Sequence, residues 1–470
     1  MPGTRMPHQN TNAGACKASN HGSNHARNSG RGRPLALATL AMMAVALAAC
    51  SGHKGKVKTT PTLGNRVPIL SRIEVSTKVD DSLASVAVVL PPPEVNTDWG
   101  QGGGTGSKSY GHLALGDHLH KLWTAQISGS SPLRRLAAAP VLGGGKLYVM
   151  DTLGVFRAFN ADTGKEVWSL SFDLPAETSS VFGGGASFDD GVVYVTTGIG
   201  EVAAIDADKG TVKWRVKPLG PLRGSPTVGY GSVFVVTQDN QIAALDIADG
   251  KTQWNESGSL AQTGVFGVAV PAVGQGTIVA GYSSGELVAY RYENGRQLWN
   301  DALARTSIAT SVSTLTDIDA DPIIDHGRVY ALGQGGRMAA YELVTGQRVW
   351  ELNLAGISTP AIAGEWIFTL TDEDKLLCIT KSTGKVRWLS QLPRWHVIKK
   401  KKGDILWTGP VLAGNRLWVA SSEGDIAAAS VDDGKLTKVF HHDTGFTLAP
   451  VVANNTLYVL DNGGRVTAYR

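Results

Sequence analysis

Six segments of the chain share one spacing, a glycine followed four positions later by a tryptophan, and no other feature limits the possible folds so tightly. They are Gly164 to Trp168, Gly210 to Trp214, Gly250 to Trp254, Gly295 to Trp299, Gly346 to Trp350 and Gly384 to Trp388. Self-similarity at a period of about 20 to 50 residues marks stacked copies of one unit rather than unrelated domains. Ahead of each glycine stands a turn-forming group such as Asn160, Ala161, Asp162, Thr163 or Asp246, Ile247, Ala248, Asp249. There the Asp or Asn side chain caps its own turn and the glycine takes a positive φ. Upstream lie paired apolar runs with strand character, as in 146–150 then 155–159, or 192–196 then 202–205. Each unit therefore reads as three strands, the last carrying the Trp, with the next unit opening near a proline.

The openings are Pro140, Ala186, Pro226, Pro271, Pro322, Pro360, Pro410 and Pro450, 38 to 51 residues apart. The eighth unit runs out of chain before any Gly and Trp, while Trp123 sits on a strand-like run with no complete unit before it. The first strand is thus expected to complete the last unit, which removes the free sheet edges that template aggregation. The predicted fold is all-β, an eight-bladed β-propeller with circular closure of its N- and C-terminal strands. The recurring Trp is read as packing between neighbouring blades rather than as a cofactor box. The seventh unit departs, with Gly434 followed by Lys438, Val439 and Phe440, so one seam must be filled differently.

Composition narrows the partners. Hydrophobic residues are 42% and charged residues 18%, enough apolar surface to exclude a mainly disordered chain. The formal charge is +4, from 44 basic and 40 acidic residues, but Arg5, Lys17, Arg27, Arg31 and Arg33 all precede residue 50. Without those five, 39 basic residues face 40 acidic ones, and the remainder has no electrostatic footprint for nucleic acid.

Residues 35–49 form an uncharged run of 15 after Arg31, Arg33 and Pro34. It is shorter than the roughly 20 residues of a spanning helix and has the layout of a secretory signal. Its end, Leu47, Ala48, Ala49, Cys50, Ser51, resembles the lipobox of bacterial lipoproteins. The resemblance implies cleavage before Cys50, acylation of Cys50, and Ser51 as an outer-membrane sorting residue. Of the three cysteines, Cys16 leaves with the leader and Cys50 carries lipid. Cys378, in the apolar run Leu376, Leu377, Cys378, Ile379, is read as a buried hydrophobe. The expected organisation is a signal peptide at 1–49, a lipidated tether at 50–66, an irregular segment leading into the ring at 67–119, and the propeller at 120–470.

The Ala, Asp, Thr-Gly and Trp pattern over 120–470 resembles the repeat of pyrroloquinoline-quinone-type propellers. One branch, the quinone-dependent dehydrogenases, holds its quinone over a disulfide between adjacent cysteines and binds calcium; this chain has no adjacent cysteines. The other, the BamB family of outer-membrane assembly lipoproteins, joins an eight-bladed propeller to a lipidated amino terminus, as here. That resemblance implies a non-enzymatic scaffold without cofactor, on the periplasmic side of the outer membrane. Its implied partners are the periplasmic domains of BamA, the barrel assembly complex and, through strand edges, unfolded outer-membrane proteins. In that family docking uses one loop with a Leu-x-Leu-Arg-Gly element and a neighbouring loop with an Asp-x-Asp pair. Asp317 and Asp319 match the second. The loop where the first is expected reads Gln262, Thr263, Gly264, Val265, Phe266, Gly267 and lacks the arginine, whereas Leu222, Arg223, Gly224 occurs one blade early. Either Val265 and Phe266 offer an apolar contact instead, or the partner surface differs. As an exposed pair, the two aspartates suit a rim contact with Lys or Arg that steers association; as local formers they would cap a turn.

Other signals carry less. Gly281, Tyr282, Ser283, Ser284, Gly285 has the nucleophile-elbow spacing but falls in a strand-to-strand turn rather than before a helix. His441 and His442 have no third metal ligand at a useful spacing and are expected to be an exposed pair. Lys399 to Lys402 is the one dense basic run, flanked by Trp395 and Trp407, and is read as a solvated loop, with anionic lipid or an acidic partner as the alternative. Two rival functions remain: a quinone-dependent periplasmic oxidoreductase, and a propeller binding cell-wall polymer through Trp366, Trp395, Trp407 and Trp418.

Overall fold

A computed structural model of the chain describes residues 74–75, 77–174, 182–260, 269–303 and 317–470. They form eight antiparallel sheets in succession, the blades of a propeller. Blade 1 consists of Val141–Gly143, Lys146–Met150, Val155–Asn160 and Glu166–Ser171, from the axis outward. Blades 2 to 7 follow at 184–216, 227–257, 272–302, 323–352, 361–391 and 407–441. Blade 8 takes three strands from 451–469 and its outermost from Lys121–Gln126, which pairs antiparallel with Arg465–Tyr469. Trp123 sits opposite Ala468 in that ladder, so the closure expected of the two chain ends is present.

Each blade has four strands where the sequence suggested three. The extra one is innermost and in most blades only three residues long, as in Thr227–Gly229, Ala272–Gly274 and Val451–Ala453. A run so short, directly after a proline, carries no readable alternation.

The seams between blades explain the Gly and Trp spacing. Trp123, Trp168, Trp214, Trp254, Trp299, Trp350 and Trp388 each donate an indole N–H to a carbonyl in the outer turn of the next blade, at 2.7 to 3.0 Å. Each ring also lies against the glycine of that turn: a Cβ on Gly346 would stand 2.4 Å from Trp299, and one on Gly384 2.6 Å from Trp350. Both glycines have a φ near +70°, so any side chain there would meet backbone strain as well as the ring. The tryptophan of one unit therefore requires the glycine of the following unit. Blade 7 faces blade 8, where the corresponding turn is replaced by the two chain ends, and there is no glycine to receive a ring. That seam is filled instead by Phe440 stacked on Tyr469, with ring centroids 4.0 Å apart.

The connections between successive blades lie on one face of the ring; the turns after the innermost strands lie on the other. Residues 94–115, expected only to lead into the ring, close this second face. Their backbone meets the innermost strands almost blade by blade: Asn454 N–H donates to Asn96 O at 2.7 Å, Trp99 and Leu142 exchange two bonds, and Phe188 N–H donates to Gly100 O at 2.6 Å. Gln101 pairs through its side-chain amide with both backbone groups of Val228 at 3.0 Å. Val273 and Ile324 donate to Gly106 and Ser107, and Leu113 donates to Leu412. Backbone groups lining the channel thereby find partners, and the channel is blind. Above the plug, toward the connection face, lies a cavity of about 330 Å³ floored by Trp99 and Tyr110 and walled in part by Asp319, Asp321, Pro410 and Pro450.

Upstream, Glu74–Val75 adds a fifth strand, parallel, to the outer edge of blade 5, with Glu74 opposite Glu351 and Val75 opposite Leu352. The chain then runs down the rim, where Val79 bridges Val386 and Asp80 N–H donates to Val386 O at the start of blade 6's outermost strand.

Candidate functional site

On the connection face, Arg223 comes from the link between blades 2 and 3, while Asp317 and Asp319 come from the link between blades 4 and 5. One guanidinium nitrogen of Arg223 binds the Asp317 carboxylate, donates to Asp319 Oδ1 at 3.0 Å and donates to Ile318 O at 3.2 Å. The side chains of Arg223, Asp317 and Asp319 are 2%, 1% and 9% exposed. The exposed rim pair expected from the sequence is therefore corrected: the aspartates are buried and are ion-paired within the chain. The early Arg223 is the residue that reaches them, across a separation of 94 positions.

Local structure locks each partner. Leu222 is fully buried and bridges Thr237, and the Arg223 N–H donates to Val236 O at 2.8 Å. Between the aspartates, Ile318 is fully buried and fills the space left by Gly281, where a Cβ would come within 2.4 Å of it. Ile318 N–H donates to Tyr282 O, and Gln334 N–H to Asp317 O. The Asp-Ile-Asp string is thus a core residue with a carboxylate on either side, and both carboxylates turn to one guanidinium. Cys50, Val265 and Phe266 lie outside the described residues.

A second pair, unsuspected from the sequence, lies deeper. Lys108, on the plug, is 1% exposed and donates from Nζ to Thr227 Oγ1 at 3.2 Å; Asp321 accepts from Val270 N–H at 2.8 Å. Burial pulls the Lys108 ammonium down to about 8, with Asp321 opposing. Burial likewise raises Asp321, with Lys108 opposing. No pattern announces this pair, because a lysine in a Gly-rich stretch ordinarily reads as solvated.

Burial also raises Asp317 against the pull of Arg223, and it pushes Asp319 up to about 6, with help from the neighbouring Asp317 charge and against Arg223. Asp319 in the folded chain keeps its proton to higher pH than in the unfolded chain, whose carboxyl titrates near 4. The folded state then binds the extra proton between about pH 4 and 6, so this contribution to stability is full below about 4 and is lost as pH rises through about 6. Urea midpoints across that range should show wild type losing roughly 2 kcal/mol relative to Asp319→Asn. Parallel curves would mean that Asp319 stays ionised throughout.

The remaining candidates fall into place as structure. Ser283 is buried and donates to Asn240 Oδ1 at 2.8 Å in a turn between strands. His442 is not the exposed residue expected: it is buried against Asp461 at 3.0 Å and the Tyr469 hydroxyl at 2.8 Å, and only His441 is exposed. Sheet alternation sends the two rings to opposite sides. Cys378 is buried, and desolvation pushes its thiol well up. Trp366, Trp407 and Trp418 are core residues and form no aromatic platform for a polymer; Trp395 is half-buried beneath Arg394, 5.2 Å from the ring centre.

The family described as outer membrane protein assembly factor BamB matches residues 152–390. The chain is 30% identical over 334 residues to the outer membrane protein assembly factor BamB of Salmonella typhimurium, covering 70% of this chain and 83% of that protein. Among solved structures, BamB from Moraxella catarrhalis superposes with a TM-score of 0.62 at 19% identity, over 75% of this chain and all of that one. Quinohemoprotein alcohol dehydrogenase from Comamonas testosteroni gives 0.61 at 14% identity, over 83% of this chain and 82% of that one, a likeness of fold.

Proposed function

The chain belongs to the family of outer membrane protein assembly factor BamB, and on that premise we propose that it is a non-enzymatic scaffold of the outer-membrane β-barrel assembly machinery. In this reading it is held to the periplasmic face of the outer membrane by an acylated Cys50 and docks on the periplasmic domains of BamA. The observation that carries the docking surface is the buried Arg223, Asp317 and Asp319 cluster, which ties Arg223 of one link on the connection face to residues 317–319 of another and so forms a platform. Leu222, Arg223, Asp317 and Asp319 build that platform from beneath, and Val265 and Phe266 offer its apolar contact. A platform ordered before the encounter avoids the entropy of ordering loops on binding.

Holding unfolded barrel strands is part of the same proposal. The chain supplies its own precedent, since Glu74–Val75 adds to the edge of blade 5 by strand pairing, the geometry of β-augmentation. No observation favours the oxidoreductase reading: the sequence has no adjacent cysteines, and the dehydrogenase likeness is one of fold. Among the described residues no helix is long and apolar enough to cross a membrane. Acyl mass on Cys50 of the mature protein is the direct test of the anchor.

Docking is tested by a photo-crosslinking residue on each face. Leu260, on the connection face, and Val344, in an outer turn on the opposite face, are 80% and 82% exposed. A probe at Leu260 should capture BamA in the envelope and one at Val344 should not. Capture from Val344 alone would assign docking to the plugged face and end this reading.

A further inference from the structure

Between blades 6 and 7 the chain inserts a hairpin, Trp395–Val397 paired with Lys402–Asp404, with a short 3-10 turn at Ile398–Lys400. Its base is fixed to the ring: Trp407 donates its indole N–H to Pro393 O at 2.8 Å, Ile405 N–H donates to Arg394 O, and Ser422 N–H to Leu406 O. Its tip is free of such ties. Lys399, Lys400, Lys401 and Lys402 are all exposed, and none enters an ion pair among the described residues. The nearby ion pairs involve the base, Arg394 with Asp374 and His396 with Glu423, each at 3.7 Å. From 394 to 406 five cations face one acid, Asp404, a net +4 with His neutral. Beside the lysines, Ile398 is 78% exposed, Leu406 61% and Val397 42%.

We propose that this hairpin is a second membrane contact, seating on an anionic phospholipid surface with the lysines among the phosphates and Ile398 and Val397 in the interfacial layer. Charge alone would suit an acidic protein equally well. Aliphatic side chains left bare beside four lysines point to lipid, because a basic and apolar tip gains from both headgroup charge and acyl boundary. Position agrees. The outermost strand of blade 6 ends on the connection face, where the hairpin stands. Glu74, the first described residue, lies against Glu351 at the end of blade 5's outermost strand that meets the same face. A chain anchored at Cys50 would thus enter the ring one blade from the hairpin. Counting blades, the hairpin is also diametrically opposite the link that carries Arg223, so lipid and a docked protein would not compete for one sector.

Only the position argument rests on the lipid-anchored reading, and the test separates the two. The chain from Ser51 onward retains every blade and the plug but has neither leader nor acylated cysteine, so its binding reports the hairpin, while acyl mass on Cys50 reports the anchor. Flotation with vesicles of phosphatidylcholine containing about 30 mol% phosphatidylglycerol should recover it, and pure phosphatidylcholine should not. Binding should fall steeply as salt is raised from about 0.05 to 0.5 M. Replacing all four lysines by Gln should reduce partitioning about 100-fold or more, at about 1 kcal/mol for each lysine. Ile398→Ser with Val397→Ser should weaken it while keeping the salt dependence, and the near-ultraviolet spectrum of both variants should match wild type. Retained flotation of the Gln variant would overturn the proposal. So would failure of the parent chain to float while the lysines prove necessary for crosslinking to an acidic protein.

Discussion

Arg223→Ala is expected to lower folding stability by about 3 to 5 kcal/mol at neutral pH, the range for removing one partner of a buried ion pair. The loss comes from what remains rather than from what is removed. Asp317 and Asp319 would be left beside each other, buried, with no guanidinium. Its size should depend on pH. Burial already pushes Asp319 up to about 6 with Arg223 present, and raises Asp317 as well; without the arginine both move further up and take protons instead of staying ionised. The penalty should therefore shrink as pH falls from about 7.5 to 5, since a protonated carboxyl is far less costly to bury than a carboxylate. Urea unfolding at the two pH values is the measurement. An equal loss at both would mean that Arg223 acts by packing alone. Adding Asp317→Asn and Asp319→Asn to Arg223→Met should restore much of the stability, because a neutral set leaves no buried charge uncompensated. That restored variant also asks whether docking needs the charges themselves or only the platform they hold.

Trp350→Ala should cost about 3 to 5 kcal/mol, as large-to-small changes at buried aromatics do. Trp350 is 2% exposed, donates to Lys381 O at 3.0 Å and covers Gly384 of the next blade. Its removal takes from the Lys381 carbonyl the shorter of two donors, leaving only the Tyr330 hydroxyl at 3.5 Å, and opens a void at the seam between blades 5 and 6. A closed ring cannot shift one blade toward its neighbour without straining the other seams, so little collapse into the void is expected. The urea midpoint measures the loss, and a fall of under 1 kcal/mol would mean that the seam repacks freely.

The Gly and Trp spacing was legible as a repeat because both halves of each seam contact recur at fixed positions, and counting them led to eight blades closed by Trp123. The same logic accounts for the unit without a tryptophan, whose neighbouring glycine turn is replaced by the chain ends. The innermost strands were not legible: three residues after a proline are too few to show a period. The sequence places His442 at the surface, since the groups that bury its ring, Tyr469 and Asp461, come from the adjacent blade and leave no local mark. A resemblance singles out Asp317 and Asp319 but carries no sign of their burial, because the residue that neutralises them lies two links away in the ring.

Sequence alone was sufficient for the all-β repeat, the blade count and the closure, since each rests on short-range patterns that every copy must display. Tertiary structure alone decided that Arg223 meets the two aspartates, that 94–115 stoppers the channel and that Lys108 is buried there. Those outcomes depend on which links the ring curvature brings together, and a pairing across the axis leaves no periodic mark on the chain.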